Sequence, residues 1–224
     1  ETESGLNERL FGVIEELESV GNPTLAFLAS GWEGIKVRLT AKAKTRPEVV
    51  SILDEWEQKV RAAIGDIVFG IDDDTMESVV LQMLRDRGLT LGLAESVTGG
   101  LVSGRLTNIA GASDVLRGGV VSYASEVKFD VLGVSKGPVV SPEAAVEMAV
   151  GAQRVLGADV GLSLTGVAGP AEQEGQRPGT LCIGVALPNG VTASSVVQLP
   201  GARDQMRQLS VISALDFLRR QLRE

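Results

Sequence analysis

The chain has 224 residues, 44% of them apolar, enough for a sizeable buried core and for more than one minimal domain. It contains no histidine, which excludes Ser-His-Asp and Cys-His catalytic units, HExxH zinc proteases and histidine-ligated zinc deaminases. A formal charge of −8 argues against a general polyanion binder, and the single Cys182 rules out an internal disulfide or a multi-cysteine metal site, which favours a reducing compartment and hence the cytoplasm.

Apolar residues at Leu6, Leu10, Ile14 and Leu17 predict a helix over Leu6 to Val20. TLAFLAS and IKVRLTAK, with Ile35, Val37, Leu39 and Ala41 alternating against Lys36, Arg38, Thr40 and Lys42, predict a half-buried hairpin with a basic outer face. A helix follows from Pro47, its stripe running through Val49, Val50, Leu53, Trp56, Val60 and Ile64, and Gly65 ends it. IVFG reads as a short strand, giving a small β-β-α-β unit. The acidic link DDDT marks a boundary near residue 72, and Asp74 and Glu77 have the spacing of a capping box.

Beyond that link, helix and strand alternate. The expected strands are LTLGLAE, GGVVSY, ADVGLSLTG, TLCIGVAL and VTASSVVQL, the last two joined by a turn at Asn189-Gly190. The expected helices begin after Asp74, after Gly100, at Ser125, at Ser141-Pro142 and at Arg203. The pattern predicts an α/β fold: a three-layer α/β/α domain with a mixed sheet, preceded by a small α+β domain. No run of ~18 apolar residues occurs and the first residues have no signal-peptide pattern, so the chain reads as soluble.

Ligand sites in such folds gather beyond the carboxyl ends of strands. Two glycine-rich segments fit that position: AESVTGGL, where Ser96 follows a strand and Thr98, Gly99 and Gly100 open a helix, and LTGVAGP, with Thr165, Gly166 and Gly169. Each fits a ligand-cradling loop or a loop that merely turns closely. A nucleophile needs a base, and without histidine the available types are lysine, tyrosine, aspartate and glutamate. In VSYASEVK, Tyr123 ends a strand and Lys128 lies in the first turns of a helix, where burial would free the amine of its proton. The same residues fit a solvated lysine and a core tyrosine, and spacing alone leaves both readings open.

The run LAESVTGGLVSGRLTNIAGASDVLRGGVVSYASEVKFDVLGV, followed by VVSPEAAVEMA, LTGVAGP and RPGT, resembles the carboxyl-terminal domain of CinA-type competence/damage-inducible proteins, nicotinamide-nucleotide amidases. Residues 22–71 resemble the KH-type linking domain of the same proteins, and ESGLNERL resembles the tail of a preceding domain, so the chain is similar to a CinA lacking its first domain. The resemblance implies a linking domain over 1–72 and an amidohydrolase over 73–224. It implies hydrolysis of nicotinamide mononucleotide to nicotinate mononucleotide and ammonia, without cofactor or metal, by a homo-oligomer. The catalytic serine, tyrosine and lysine map to Ser96, Tyr123 and Lys128. Backbone N–H groups of Ser96 to Gly100 are then expected to bind the oxyanion. Glu95 is expected to face the pyridinium, and the Thr107–Ser113 turn with Gly111, the Thr165–Gly169 loop and Arg177 compete for the phosphate. Val97 stands where the family has cysteine, which is expected to alter packing more than chemistry; YASEVK stands where it has Tyr-Ser-Asn-Glu-Ala-Lys, losing an asparagine; and AEQEGQ stands where it has glycines, which is expected to shift substrate preference more than reaction type. A non-catalytic nucleotide-binding or interaction module of a competence or DNA-damage protein is the alternative. GWEG has the GxxG spacing of a nucleic-acid-binding KH loop, with Lys36, Arg38, Lys42, Lys44 and Arg46 nearby. It lies between strands and carries Glu33 and Trp32, so it reads as structural and RNA binding is not expected.

Overall fold

The structure, a computed structural model, describes residues 2–29 and 33–223. The chain divides into two compact units, Glu1–Gly70 and Ile71–Glu224. In the first, helices α1 (Glu3–Arg9) and α2 (Phe11–Val20) replace the single expected helix. The break at Leu10 is slight, since Leu10 N–H donates to Leu6 and Ile14 N–H donates to Leu10. Strands β1 (Thr24–Ala29) and β2 (Ile35–Thr40) form the expected antiparallel pair, with Phe27 opposite Val37. Gly31 and Trp32 of GWEG lie outside the described residues.

Helix α3 (Arg46–Ile64) starts in a capping box made by Thr45 and Glu48. Leu6, Leu10, Val60 and Ile64 form the core, with Leu25, Phe27, Val37 and Leu39 against it. Trp56 is a core residue, Lys59 lying 4.0 Å over its ring. The expected strand IVFG does not form. Ile67 and Val68 pack on this core as irregular chain, because an apolar run specifies burial but not a pairing partner.

The second unit opens with α4 (Met76–Asp86), one residue later than the capping-box spacing suggested. Thr75 and Ser78 make the box, while Asp74 accepts from Ile71 N–H and Glu77 is buried against Arg105. There follow β3 (Leu91–Glu95), α5 (Leu101–Thr107), a 3-10 turn (Ala112–Asp114), β4 (Leu116–Val121), α6 (Ser125–Asp130), α7 (Pro142–Leu156), β5 (Val160–Gly166), β6 (Thr180–Ala186), β7 (Thr192–Gln198) and α8 (Arg203–Gln221). The sheet order is β4-β3-β5-β6-β7, with β4, β3 and β5 parallel and β6 and β7 added antiparallel. This is the expected three-layer fold with a mixed sheet.

Alternation along the strands sets the layers. Gly161, Ser163 and Gly184 face α7, and Ser163 Oγ donates to Ala145 O on that helix. A Cβ at Gly184 would sit 2.2 Å from Ala145 O, so glycine there lets α7 lie directly on the sheet. Helices α5 and α8 cover the other face, where Gly119 leaves room for Ser103 of α5. Among the described residues no helix is long and apolar enough to cross a membrane.

Candidate active site

Strand β3 is buried along its whole length, and its carboxyl end is the middle of the parallel part of the sheet. Ser96 follows immediately and keeps the β5 register for one more bond, its N–H donating to Leu164 O at 2.9 Å. The chain then turns sharply: Gly99 N–H donates to Ser96 O, and Gly99 and Gly100 have φ of 60° and 96°. That left-handed pair requires glycine and delivers the chain into α5.

The Glu95 side chain holds this turn. It is fully buried, and its Oε2 accepts from Thr98 Oγ1 (2.8 Å), Gly100 N–H (3.1 Å) and Val102 N–H (3.0 Å). Its Oε1 accepts from Ser103 N–H (2.8 Å) and Ser103 Oγ (2.7 Å). Five donors exhaust the carboxylate, so Glu95 is an internal cap for α5 and does not face a substrate; Thr98, Gly99 and Gly100 belong to the same cap. The expectation that all N–H groups from Ser96 to Gly100 face an oxyanion is corrected accordingly: those of Ser96, Gly99 and Gly100 are committed within the chain, leaving Val97 and Thr98.

Lys128 on α6 is 1% exposed. Its Nζ donates to Ser122 O at 2.6 Å and, more loosely, to Tyr123 O at 3.5 Å. Burial holds its amine below the ordinary lysine value, opposed in part by the negative charges of Glu174 and Glu126. Lys128 is thus held by main-chain carbonyls, not by the Tyr123 hydroxyl. That hydroxyl is exposed and accepts from Arg203 at the start of α8.

Ser96, Tyr123 and Lys128 line one cavity of about 340 Å³. Thr165, Gly166 and Gly169 line it too, and so do Val97, Glu172 and Arg203. Thr165 is buried and donates to Val139 O at 2.7 Å, and Gly166 has no Cβ because Thr180 O would be 2.5 Å from it. Both therefore have packing reasons for their identity. Arg177 does not line this cavity; it donates to Gln198 at 3.1 Å beside a separate surface depression. Nor do Thr107, Gly111 and Ser113. They are exposed, Thr107 as the last residue of α5 and Gly111 and Ser113 in the turn after it.

Two arginines of α8 went unrecognised in the sequence. Arg203 donates to Gly169 O and the Tyr123 hydroxyl, and Arg207 donates to Val97 O (3.2 Å) and Thr98 O (2.6 Å), bracing the turn after Ser96. A signal was present: arginine at the start of a helix opposes the helix dipole, so Arg203 needs a reason to be there.

The fold and this cavity define a class: an α/β domain with a serine on the turn after a central strand and a buried lysine in the same pocket. Residues 73–222 match the CinA C-terminal domain and residues 2–70 match the damage-inducible protein CinA KH domain. The chain belongs to the CinA family. A CinA-like protein from Frankia casuarinae is 48% identical over 225 residues, covering 98% of this chain and 52% of that protein. A CinA-like protein from Kosmotoga olearia is 38% identical, covering 94% of this chain and 52% of its own length. The chain thus spans about half the length of the curated relatives it matches. The crystal structure of competence/damage inducible protein CihA from Agrobacterium tumefaciens aligns with a TM-score of 0.62 at 31% identity, covering 66% of this chain and 94% of that one. A CinA superfamily protein from Escherichia coli gives 0.63 at 29%, covering 70% and 95%.

Proposed function

We propose that the cavity is the site of a nicotinamide-nucleotide amidase, hydrolysing the carboxamide of nicotinamide mononucleotide in the cytoplasm to nicotinate mononucleotide and ammonia. The observation that carries this reading is the buried Lys128 amine, its proton affinity lowered by desolvation, in the same cavity as Ser96 in a chain without histidine. A neutral amine has two N–H donors and one lone pair. The carbonyls of Ser122 and Tyr123 take the two donors, which leaves the lone pair for the Ser96 hydroxyl proton.

Ser96 Oγ attacks the carboxamide carbon as its proton passes to Lys128. The oxyanion is stabilised by the uncommitted N–H groups of Val97 and Thr98, contributing on the order of 3 kcal/mol per donor. The C–N bond breaks as Lys128 returns the proton to departing ammonia, and the resulting ester is hydrolysed by water deprotonated by the same amine. Arg203 supplies the positive charge for the substrate phosphate, the task first considered for Arg177 and the Thr107–Ser113 turn. Glu172 supplies the negative charge for the pyridinium, first considered for Glu95. Working as a homo-oligomer belongs to the same reading.

A second reading, nucleotide binding without turnover, is favoured by one observation: Ser96 Oγ makes no hydrogen bond to Lys128 Nζ, whose bonds go to the two carbonyls. Ammonia release from nicotinamide mononucleotide, with Ser96→Ala alongside, separates the two. Release that disappears in the variant supports the amidase; tight binding with no release in either chain overturns it.

A further inference from the structure

Residues 171–176 form the outer lip of the cavity as a small hairpin. Gln173 and Gln176 exchange backbone hydrogen bonds at 3.1 and 2.8 Å, and the two residues between them, Glu174 and Gly175, have φ of 53° and 75°. Positive φ at both central positions is the pattern of a type I′ turn, whose usual residues are asparagine, aspartate and glycine. Glutamate at the first position is strained, and strain of this kind persists where the surroundings use it.

Here the side chain has a definite target. Glu174 Oε2 accepts from both Val139 N–H (2.7 Å) and Val140 N–H (3.0 Å), two residues that are 2% and 3% exposed and line the cavity from the segment leading into α7. On the other side of the same peptide, Val139 O accepts from Thr165 at the end of β5. Glu172 and Gln173, the next residues back along the lip, line the cavity themselves.

We propose that Glu174 is a positioning residue: from its left-handed turn its carboxylate clamps the cavity lip to the Val139–Val140 segment, fixing Glu172 and Gln173 where they select the substrate's outer groups. The clamp itself stands on geometry alone, and only its effect on substrate rests on the amidase reading. Two variants of the full chain separate acceptance from charge, because both remove the negative charge that also acts on Lys128. Glu174→Gln keeps an acceptor oxygen; Glu174→Gly removes it while relieving the left-handed strain.

Amide exchange measured by NMR at Val139 and Val140 reads the clamp directly. In Glu174→Gly both amides are expected to exchange about 10-fold faster or more than in Glu174→Gln, with resonances of Gly169 to Gln173 displaced in the glycine variant alone. Equal exchange in the two variants, or unmoved resonances in Glu174→Gly, overturns the proposal. In turnover of nicotinamide mononucleotide, KM is expected to be about 10-fold higher in the glycine than in the glutamine variant, with kcat within about threefold. A chain that turns over nothing refutes the amidase reading, while exchange and resonance positions still decide the clamp.

Discussion

Replacing Glu95 with glutamine tests whether this side chain is an internal cap or a ligand contact. The carboxylate accepts from three backbone N–H groups and two hydroxyls, all from the turn and first residues of α5. Hydroxyls can rotate and become acceptors; backbone N–H groups cannot. If the glutamine amide places its NH2 at the Oε1 position, Ser103 N–H loses its acceptor; in the other orientation Gly100 and Val102 N–H both do. At least one buried donor is orphaned, costing about 1–3 kcal/mol, and the remaining bonds lose their charge assistance, about 1 kcal/mol each. The total is about 4–6 kcal/mol. For a unit of this size that lowers Tm by about 10 °C, readable by circular dichroism during heating and by guanidinium titration. A Tm within about 3 °C of wild type, combined with a raised KM, would refute the cap and restore Glu95 as a substrate contact.

Four further outcomes follow from the structure. On the amidase reading only the neutral Lys128 amine can take the Ser96 proton, so kcat should rise with pH through a pKa below the ordinary lysine value of 10.5, and Lys128→Met should abolish turnover. The folded chain releases this proton at lower pH than the unfolded chain, so wild-type stability rises with pH between the two pKa values; Lys128→Met should therefore be the more stable protein near neutrality, the difference shrinking toward pH 10.5 in denaturant titrations. Arg203→Met should raise KM for nicotinamide mononucleotide about 10–100-fold with a smaller effect on kcat, whereas an unchanged KM removes Arg203 from phosphate binding. Gly184→Ala should cost about 3 kcal/mol or more, or prevent expression of folded protein, because its Cβ would meet backbone atoms of Ala145 at 2.2 and 2.4 Å; near-wild-type stability would mean that α7 does not rest there.

The three-layer architecture was legible in the sequence because its strands are short apolar runs and its longer helices carry boundary signals, such as Ser141-Pro142 and Gly157 around α7. Ser96, Tyr123 and Lys128 were legible as a set through family motifs, and the structure brings all three to one cavity. Their roles were less legible. Tyr123 contributes its carbonyl to Lys128 and its hydroxyl to Arg203, a distinction that sequence does not encode. Glycine-rich runs suggested ligand approach at Gly99, Gly100 and Gly166, where positive φ and a neighbouring strand explain them instead. Arg203 and Glu174 escaped notice because each acts on residues distant in sequence, Glu174 on a segment 35 residues upstream. The IVFG segment failed as a strand for the complementary reason: its hydrophobicity was real, but pairing is a property of neighbours.

The bracing of the serine turn by Arg207 also bears on how the protein matures. Val97 and Arg207 are 110 residues apart, one of the longest sequence separations bridged by any hydrogen bond in the described chain. Contacts of that span form after local ones, since the loop they close must first lose its freedom. Helices α4 to α7 and the parallel strands can therefore assemble before α8 docks, the carbonyls of Val97 and Thr98 gaining their arginine partner only then. On the amidase reading, a chain in which α8 has not docked lacks this brace beside Ser96, so activity regained during refolding should lag behind the return of secondary structure.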